Sequence, residues 1–237
     1  MSMSTPTVVL VHGAFAESAS WNGVLTRLRA AGVPAIATPN HLRSLSGDVA
    51  NVRAVVRALD GPIVLVGHSY GGSVISGAAF GDAAVRALVF VAAFAPRAGE
   101  SIAQLSGEYP GSTLGETLET IPLSDGSTDL RIRQELFHQQ FAHDLPSEDA
   151  ALAAATQRPL RDVALNEAAG APAWTSVPSW FVVADGDRNI PPAAQRWMAE
   201  RADAREVVEI AGASHSVHVS HPDDVADTVL RAVKATT

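Results

Sequence analysis

The serine at position 69 is the side chain best placed to act as a nucleophile. The pattern Gly-x-Ser-x-Gly is met by Gly67-His68-Ser69-Tyr70-Gly71, which follows a buried apolar run and precedes a stretch of small residues. In that context the chain turns sharply from a strand into a helix, and small neighbours let the two elements approach closely. A bare match also arises in glycine-rich turns, but the flanking strand and helix favour Ser69 as a catalytic nucleophile.

A serine hydroxyl needs a neutral imidazole as base and a carboxylate that orients the imidazole. The expected chain order is Ser, Asp, His, so the carboxylate should follow a later strand. Asp187 and Asp185 compete there, and we favour Asp187 because it stands three residues beyond the strand end, on the turn into the next helix. Turn formation or a hydrogen bond to the loop backbone is the alternative role of Asp185.

Three histidines after the last predicted strand are candidates for the base. His215 lies nearest the strand end, whereas His221 precedes Pro222 at the start of the last helix. We therefore predict His215 as the base. His218 and His221 are expected to be local hydrogen-bonding or surface groups.

Backbone amides must stabilise the negative charge that develops during acyl transfer. The segment after the first strand supplies Ala14, and Tyr70 follows the nucleophile at a helix N-terminus. The amides of Ala14 and Tyr70 are predicted to form this oxyanion hole, while His12 and His68 are expected to be structural hydrogen-bonding groups.

Large side chains near the predicted pocket are candidate substrate contacts. Phe15, His138 and Trp174 are the ones we select. Aromatic side chains at helical spacing pack in the core more often than they bind ligands. The identity of the substrate is therefore left open.

Alternating strands and helices must position these groups. Strands are predicted at 7–11, 34–38, 62–66, 85–93, 179–184 and 205–210, and helices at 21–31, 46–59, 73–80, 191–201 and 222–234. This order indicates an α/β fold with a six-stranded, mostly parallel sheet flanked by helices.

The alternation of predicted strands and helices is interrupted in the middle of the chain. Helical stretches are predicted at 131–142 and 148–157, after clusters of Gly, Ser, Thr and Pro. We expect residues 97–175 to form an inserted, mainly helical cap that shapes the pocket. Residues 1–96 and 176–237 would form the core, in one structural unit overall.

Composition excludes several classes of protein. The net charge of −8, with Lys234 as the only lysine, leaves no basic face for nucleic acid or an anionic membrane. The absence of cysteine excludes a disulfide framework and a cysteine nucleophile.

The first apolar run is too short for a signal peptide and no run approaches the length of a membrane helix, so we expect a cytoplasmic protein. We find no spacing typical of a metal site and no phosphate-binding glycine pattern, so no cofactor is expected.

Four motifs in order make the chain similar to the α/β-hydrolase superfamily, specifically its small branch of plant methylesterases, hydroxynitrile lyases and bacterial esterases. These motifs are His12-Gly13-Ala14-Phe15, Gly67-His68-Ser69-Tyr70-Gly71-Gly72, Asp187-Arg188-Asn189-Ile190-Pro191 and Gly212-Ala213-Ser214-His215. The likeness covers 7–96 and 179–234, with a looser similarity at 135–151.

The resemblance implies hydrolysis of a small carboxylic ester through an acyl-enzyme, without metal or organic cofactor. In the lyases of this branch a lysine follows the catalytic histidine and a threonine replaces the oxyanion-loop glycine; Ser216 and Gly13 stand there in this chain. A cofactor-free lyase, perhydrolase or oxygenase on the same triad, or a slow-turnover ligand receptor, remain alternatives. A small-molecule ester is the expected partner, and formation of a homodimer is left open.

Overall fold

The computed structural model describes residues 5–236, and a six-stranded sheet is its central feature. Residues 1–4 and 237, which the predicted core ranges include, lie outside the described residues. In chain order the strands are β1 (Thr7–Val11), β2 (Ala35–Thr38), β3 (Ile63–His68), β4 (Val85–Val91), β5 (Leu118–Pro122), β6 (Thr128–Ile132), β7 (Leu160–Arg161), β8 (Ser179–Ala184) and β9 (Glu206–Ile210).

Helices alternate with these strands. They are α1 (Asn22–Ala30), α2 (Leu45–Arg57), α3 (Tyr70–Ala79), α4 (Ile102–Ser106), α5 (Gln134–Phe141), α6 (Ser147–Thr156), α7 (Asp162–Asn166), α8 (Pro192–Arg201), α9 (Val217–Ser220) and α10 (Pro222–Ala235). No helix within residues 5–236 is both long enough and apolar enough to cross a membrane.

The large sheet has the strand order β2-β1-β3-β4-β8-β9, and every neighbouring pair is parallel. This confirms the predicted six-stranded sheet. Because successive side chains of a strand point to opposite faces, Val8 and Leu10 enter one apolar core, whereas Val9 and Val11 enter the other. Helices α1 and α10 cover the first face and α2, α3 and α8 cover the second, so the central strands are apolar on both sides.

The segment between β4 and β8 contains helices and a second sheet. Strands β5, β6 and β7 form this antiparallel sheet, which sequence analysis did not predict. The predicted helix at 131–142 is wrong in its first residues, because Arg131 and Ile132 pair with β5 and the helix begins at Gln134. Strand pairing with a distant partner prevails over the local helical spacing there.

Two predicted helix starts also differ from the structure. Helix α2 begins at Leu45, one residue before its predicted start, and is capped by Ser44, whose hydroxyl accepts a hydrogen bond from Gly47 N. Helix α3 begins at Tyr70 rather than at residue 73, because the chain enters the helix directly from the turn at Ser69. The first backbone amides of α3 therefore lie beside the predicted nucleophile.

Candidate active site

Ser69 occupies a strained turn between β3 and α3. Its φ of 54° lies in the left-handed region that residues with a Cβ rarely adopt. Its backbone N–H donates to Val91 O at 3.2 Å, and its carbonyl accepts from Gly72 N at 3.0 Å, so the strained conformation is held on both sides. A Cβ at Gly71 would lie 2.5 Å from Val11 O, which explains why glycine is required where α3 crosses the end of β1.

His215 and Asp187 form a buried hydrogen-bonded pair at the carboxyl ends of the last strands. His215 Nδ1 lies 2.6 Å from Asp187 Oδ2, and both side chains are almost completely buried. Because a carboxylate only accepts hydrogen bonds, Nδ1 must carry the proton. The other ring nitrogen of neutral His215, Nε2, is then an acceptor and could take a proton from a hydroxyl.

The Asp187 carboxylate is held by further donors. Its Oδ1 accepts hydrogen bonds from the backbone N–H groups of Asn189 at 2.7 Å and Ile190 at 3.0 Å. Gln195 Nε2 donates to Oδ2 at 2.8 Å and to Ile190 O at 2.7 Å, while Gln195 Oε1 accepts from Ala184 N at 3.1 Å. Sequence analysis missed Gln195, although its position on the first turns of α8 after Pro191 was a usable signal.

The competing carboxylate and histidines lie in other environments. Asp185 is exposed and pairs with Arg196 at 3.0 Å. His221 is partly buried, and its Nδ1 lies 2.9 Å from Ser220 Oγ and 3.7 Å from the Asp144 carboxylate. The expectation for His218 is wrong: helix α9 turns the side chain inward, where it is 1% exposed and has no hydrogen-bond partner among the described residues.

A cluster of buried imidazoles lies beneath His215. His68 Nε2 donates to His215 O at 2.9 Å, and the His218 ring packs 4.2 Å from the His68 ring. His12 Nδ1 donates to Gly13 O at 2.9 Å, and its Nε2 accepts from Asn40 N. Burial is the main cause that lowers the pKa of His12 to about 4 and of His218 to about 3, and it holds the pKa of His68 well below its ordinary value. His12 and His68 are therefore buried hydrogen-bonding groups, and His218 is a buried packing group.

The predicted oxyanion donors lie on both sides of Ser69. Tyr70 is the first residue of α3, and the first amides of a helix have no partner within the helix. The neighbouring Phe15 amide is occupied, because it donates to Arg158 O at 3.1 Å, whereas the Ala14 amide makes no hydrogen bond to a described residue. The Tyr70 hydroxyl donates to Asp48 Oδ2 at 2.8 Å, and burial together with that carboxylate raises the pKa of Tyr70.

Ser69 and His215 line the same small cavity, of about 50 Å³. Phe15 also lines it. The segment between β4 and β8 closes the cavity with apolar side chains and one serine, namely Ile102, Ser106, Leu114, Leu118, Leu160 and Leu165. The Ser69 hydroxyl has no hydrogen-bond partner among residues 5–236, a loose geometry that catalytic contacts of unliganded enzymes often have.

The other two predicted substrate contacts lie outside this cavity. His138 Nε2 donates to Leu145 O at 2.9 Å, so the ring is held within the segment that closes the site. Trp174 Nε1 donates to Pro96 O at 3.0 Å, and its ring packs against Arg201. Position along the sequence could not distinguish these packing roles from contact with a substrate. In the part of the chain that the structure describes, no group of three or more His, Asp or Glu side chains is placed to hold a metal ion.

A serine on a strand-to-helix turn of a parallel sheet, with an Asp–His pair after later strands, defines the class of α/β hydrolases. The sequence profile of the alpha/beta hydrolase family matches residues 8–228, and the chain belongs to that family. It is thus an enzyme of the α/β-hydrolase type.

Curated relatives and solved structures match nearly the whole chain. Esterase PIR7B of Oryza sativa subsp. japonica is 29% identical, over 97% of this chain and 96% of the relative. Salicylic acid-binding protein 2 of Nicotiana tabacum is also 29% identical, over 94% and 95%. The crystal structure of polyneuridine aldehyde esterase has a TM-score of 0.81 at 21% identity, covering 96% of this chain and 99% of that one. A pyrethroid hydrolase from Sphingobium faniae JZ-2 has a TM-score of 0.78 at 21% identity, covering 98% of both chains. At this identity the two structures show a shared fold.

Proposed function

We propose that the chain hydrolyses small carboxylic esters through an acyl-enzyme on Ser69. Ser69 Oγ attacks the ester carbonyl carbon while His215 Nε2 takes the hydroxyl proton. The amides of Ala14 and Tyr70 donate to the resulting oxyanion. His215 then gives this proton to the departing alkoxide, which leaves as the alcohol, and activates the water that releases the acid, while Asp187 keeps the imidazole in the required tautomer.

The observation that carries this proposal is the 2.6 Å contact between His215 Nδ1 and Asp187 Oδ2, with His215 in the wall of the cavity that Ser69 also lines. His218, the rival base, does not line that cavity and has no carboxylate partner among the described residues. The names of the relatives support the same chemistry, because Esterase PIR7B and Putative methylesterase 19 of Arabidopsis thaliana are named for ester cleavage.

The residue at position 13 favours hydrolysis over the lyase alternative. A Cβ at Gly13 would lie 2.6 Å from Ser69 Cβ and 2.9 Å from His68 O. A threonine at this position would therefore require the backbone to move. Ser216, rather than a lysine, follows His215.

We also propose that residues 97–175 act as a cap on the core formed by 1–96 and 176–237. The support is that the chain leaves the large sheet after β4 and returns to it at β8. Side chains of the intervening segment line the cavity at Ser69.

Initial rates of hydrolysis of nitrophenyl esters of increasing acyl length test the proposed function. Four proteins are compared: wild type, Ser69→Ala, His215→Ala and His218→Ala. The proposal expects serine-dependent turnover that is lost in the first two variants and survives in the third. Wild-type protein without Ser69-dependent turnover would contradict the proposal and favour the lyase or receptor alternatives.

A further inference from the structure

Asn189 presents a buried hydrogen-bond donor that no group of residues 5–236 accepts from. It lies two residues after Asp187, is 3% exposed and lines the same cavity as Ser69 and His215. Its backbone N–H donates to Asp187 Oδ1 at 2.7 Å, which fixes the main chain. Its side-chain nitrogen, Nδ2, has no hydrogen-bond partner among the described residues.

The neighbouring Gln140 determines the orientation of the Asn189 amide. Gln140 Nε2 lies 2.8 Å from Arg188 O, and a carbonyl can only accept, so this atom of Gln140 must be the nitrogen. The same nitrogen lies 2.7 Å from Asn189 Oδ1. Flipping the Asn189 amide would bring two donor groups into contact. Nδ2 therefore has no acceptor for either of its hydrogens in the part of the chain that the structure describes.

The remaining polar side chains of the cavity wall are already engaged. The Tyr70 hydroxyl donates to Asp48, and the Ser106 hydroxyl donates to Ile102 O at 2.8 Å. Ser69 and His215 carry the proposed reaction. Apart from Ser69 and His215, Asn189 is thus the polar residue of this cavity wall whose side-chain donor has no partner among the described residues. A buried donor without an acceptor is destabilising, so an oxygen of a bound ligand that accepts from it would stabilise the complex.

We infer that Asn189 Nδ2 donates a hydrogen bond to a second oxygen of the substrate, distinct from the scissile carbonyl oxygen. The preferred substrates are uncharged esters with an otherwise apolar body that carry an ether, ketone or hydroxyl oxygen in the acyl or alcohol part. An all-hydrocarbon ester of the same shape leaves the amide unpaired and reacts more slowly. This inference rests on the proposed function.

Two pairs of esters that differ by one oxygen for one methylene test the inference. Methyl 3-methoxypropanoate is compared with methyl pentanoate on the acyl side, and 2-methoxyethyl butanoate with butyl butanoate on the alcohol side. The ratio of kcat/KM within each pair is measured by pH-stat and divided by the ratio of the alkaline hydrolysis rate constants, which removes differences in intrinsic reactivity. Wild type is expected to prefer the methoxy ester about tenfold in one pair.

Variants assign that preference to the Asn189 side chain. Asn189→Leu keeps the branched shape and the number of side-chain heavy atoms but has no donor. Asn189→Ala is a second variant for the case in which the bulkier leucine does not fit. Asn22→Leu makes the same change at an exposed position. The preference should disappear in both Asn189 variants and persist in Asn22→Leu. A corrected ratio near one in wild type for both pairs, or a preference that persists without the Asn189 amide, would overturn the inference. Ser69-dependent hydrolysis of the hydrocarbon esters would still support the proposed function in either case.

Discussion

The Asp187 carboxylate is surrounded by donors from its own turn, from the helix after it and from the loop that carries His215. The amides of Asn189 and Ile190 bind one oxygen, while Gln195 and His215 share the other. Such an arrangement keeps the carboxylate from rotating away from the imidazole. Gln195 therefore acts on the proposed reaction through Asp187, as a positioning residue.

Replacement of Gln195 tests this role at the level of one side chain. Gln195→Leu removes a hydrogen bond to a charged oxygen, so kcat for nitrophenyl butyrate should fall about tenfold or more while KM changes little. Steady-state kinetics and the free energy of unfolding are measured together. Gln139→Leu, the same change at an exposed position of α5, should retain wild-type kcat. Equal kcat values for both variants would show that Asp187 is held without Gln195.

Burial of His218 should make the free energy of unfolding depend on pH. Burial lowers its pKa to about 3 from 6.5, so between these values it is neutral in the folded protein and protonated in the unfolded chain. The unfolded chain then binds more protons, and stability falls as the pH is lowered through this window. His218→Phe should make the slope of the free energy of unfolding between about pH 6 and about pH 4 shallower by up to about 1.4 kcal/mol per pH unit.

Urea unfolding followed by tryptophan fluorescence at several pH values measures that slope. Carboxylates contribute equally to wild type and variant, so the difference between them isolates His218. His41→Phe, at an exposed position, is the control and should follow wild type. Identical slopes for wild type and His218→Phe would contradict the assigned protonation of the buried ring.

At the scale of elements, the N-terminus of α2 distinguishes two nearby serines. Ser44 Oγ accepts from Gly47 N at 3.2 Å, whereas Ser46 contributes only its backbone N–H, to Glu167. Ser44→Ala should lower the free energy of unfolding by about 1 kcal/mol, the usual value for loss of a helix cap. Ser46→Ala should change it far less. Chemical denaturation of both variants decides between them, and a larger loss in Ser46→Ala would contradict the cap assignment.

The large sheet could be predicted from the sequence because each of its strands is a local run of apolar residues. The bounds of β1 and β8 were predicted to the residue. The small sheet was missed because β5, β6 and β7 are stabilised by pairing with one another, and β6 follows a helix-like pattern into α5. Local spacing carries no information on such pairing.

The candidate site also has a part that could be predicted from the sequence and a part that could not. Ser69, Asp187 and His215 follow strand ends, and parallel strands bring their ends to one edge of the sheet, so their proximity could be expected from the order of elements. Gln140 and Asn189 meet only because α5 of the intervening segment packs on the turn after β8. Contact between such distant segments cannot be derived from residue types.

At the scale of the whole molecule, the segment that closes the cavity is joined to the core by a partly buried ion pair. Arg201, at the end of α8, donates to both carboxylate oxygens of Glu100 at 2.9 and 2.7 Å and lies 4.1 Å over the Trp197 ring. It also donates to Ala95 O. A planar guanidinium can make these contacts together, whereas an ammonium cannot.

Arg201→Lys should therefore destabilise the protein although the charge is kept. We expect a loss of about 1.5–3 kcal/mol in the free energy of unfolding, since several charge-assisted contacts are lost. Arg196→Lys is the matched control, because Arg196 pairs with Glu209 at the exposed surface and such pairs contribute about 1 kcal/mol or less. Thermal or urea unfolding measures the free energy of unfolding of the two variants. Equal values would show that the contacts of the Arg201 guanidinium with Glu100 and Ala95 do not stabilise the protein.

Mass spectrometry of the protein during turnover shows directly whether Ser69 carries the acyl group. Wild-type protein is mixed with nitrophenyl acetate, quenched in acid within the first turnover and digested to locate any added acetyl group. One acetyl group is expected on the peptide that contains Ser69, and none in Ser69→Ala. Continued ester hydrolysis by wild type and by Ser69→Ala alike, with no acetyl group on Ser69, would contradict the proposed acyl-enzyme.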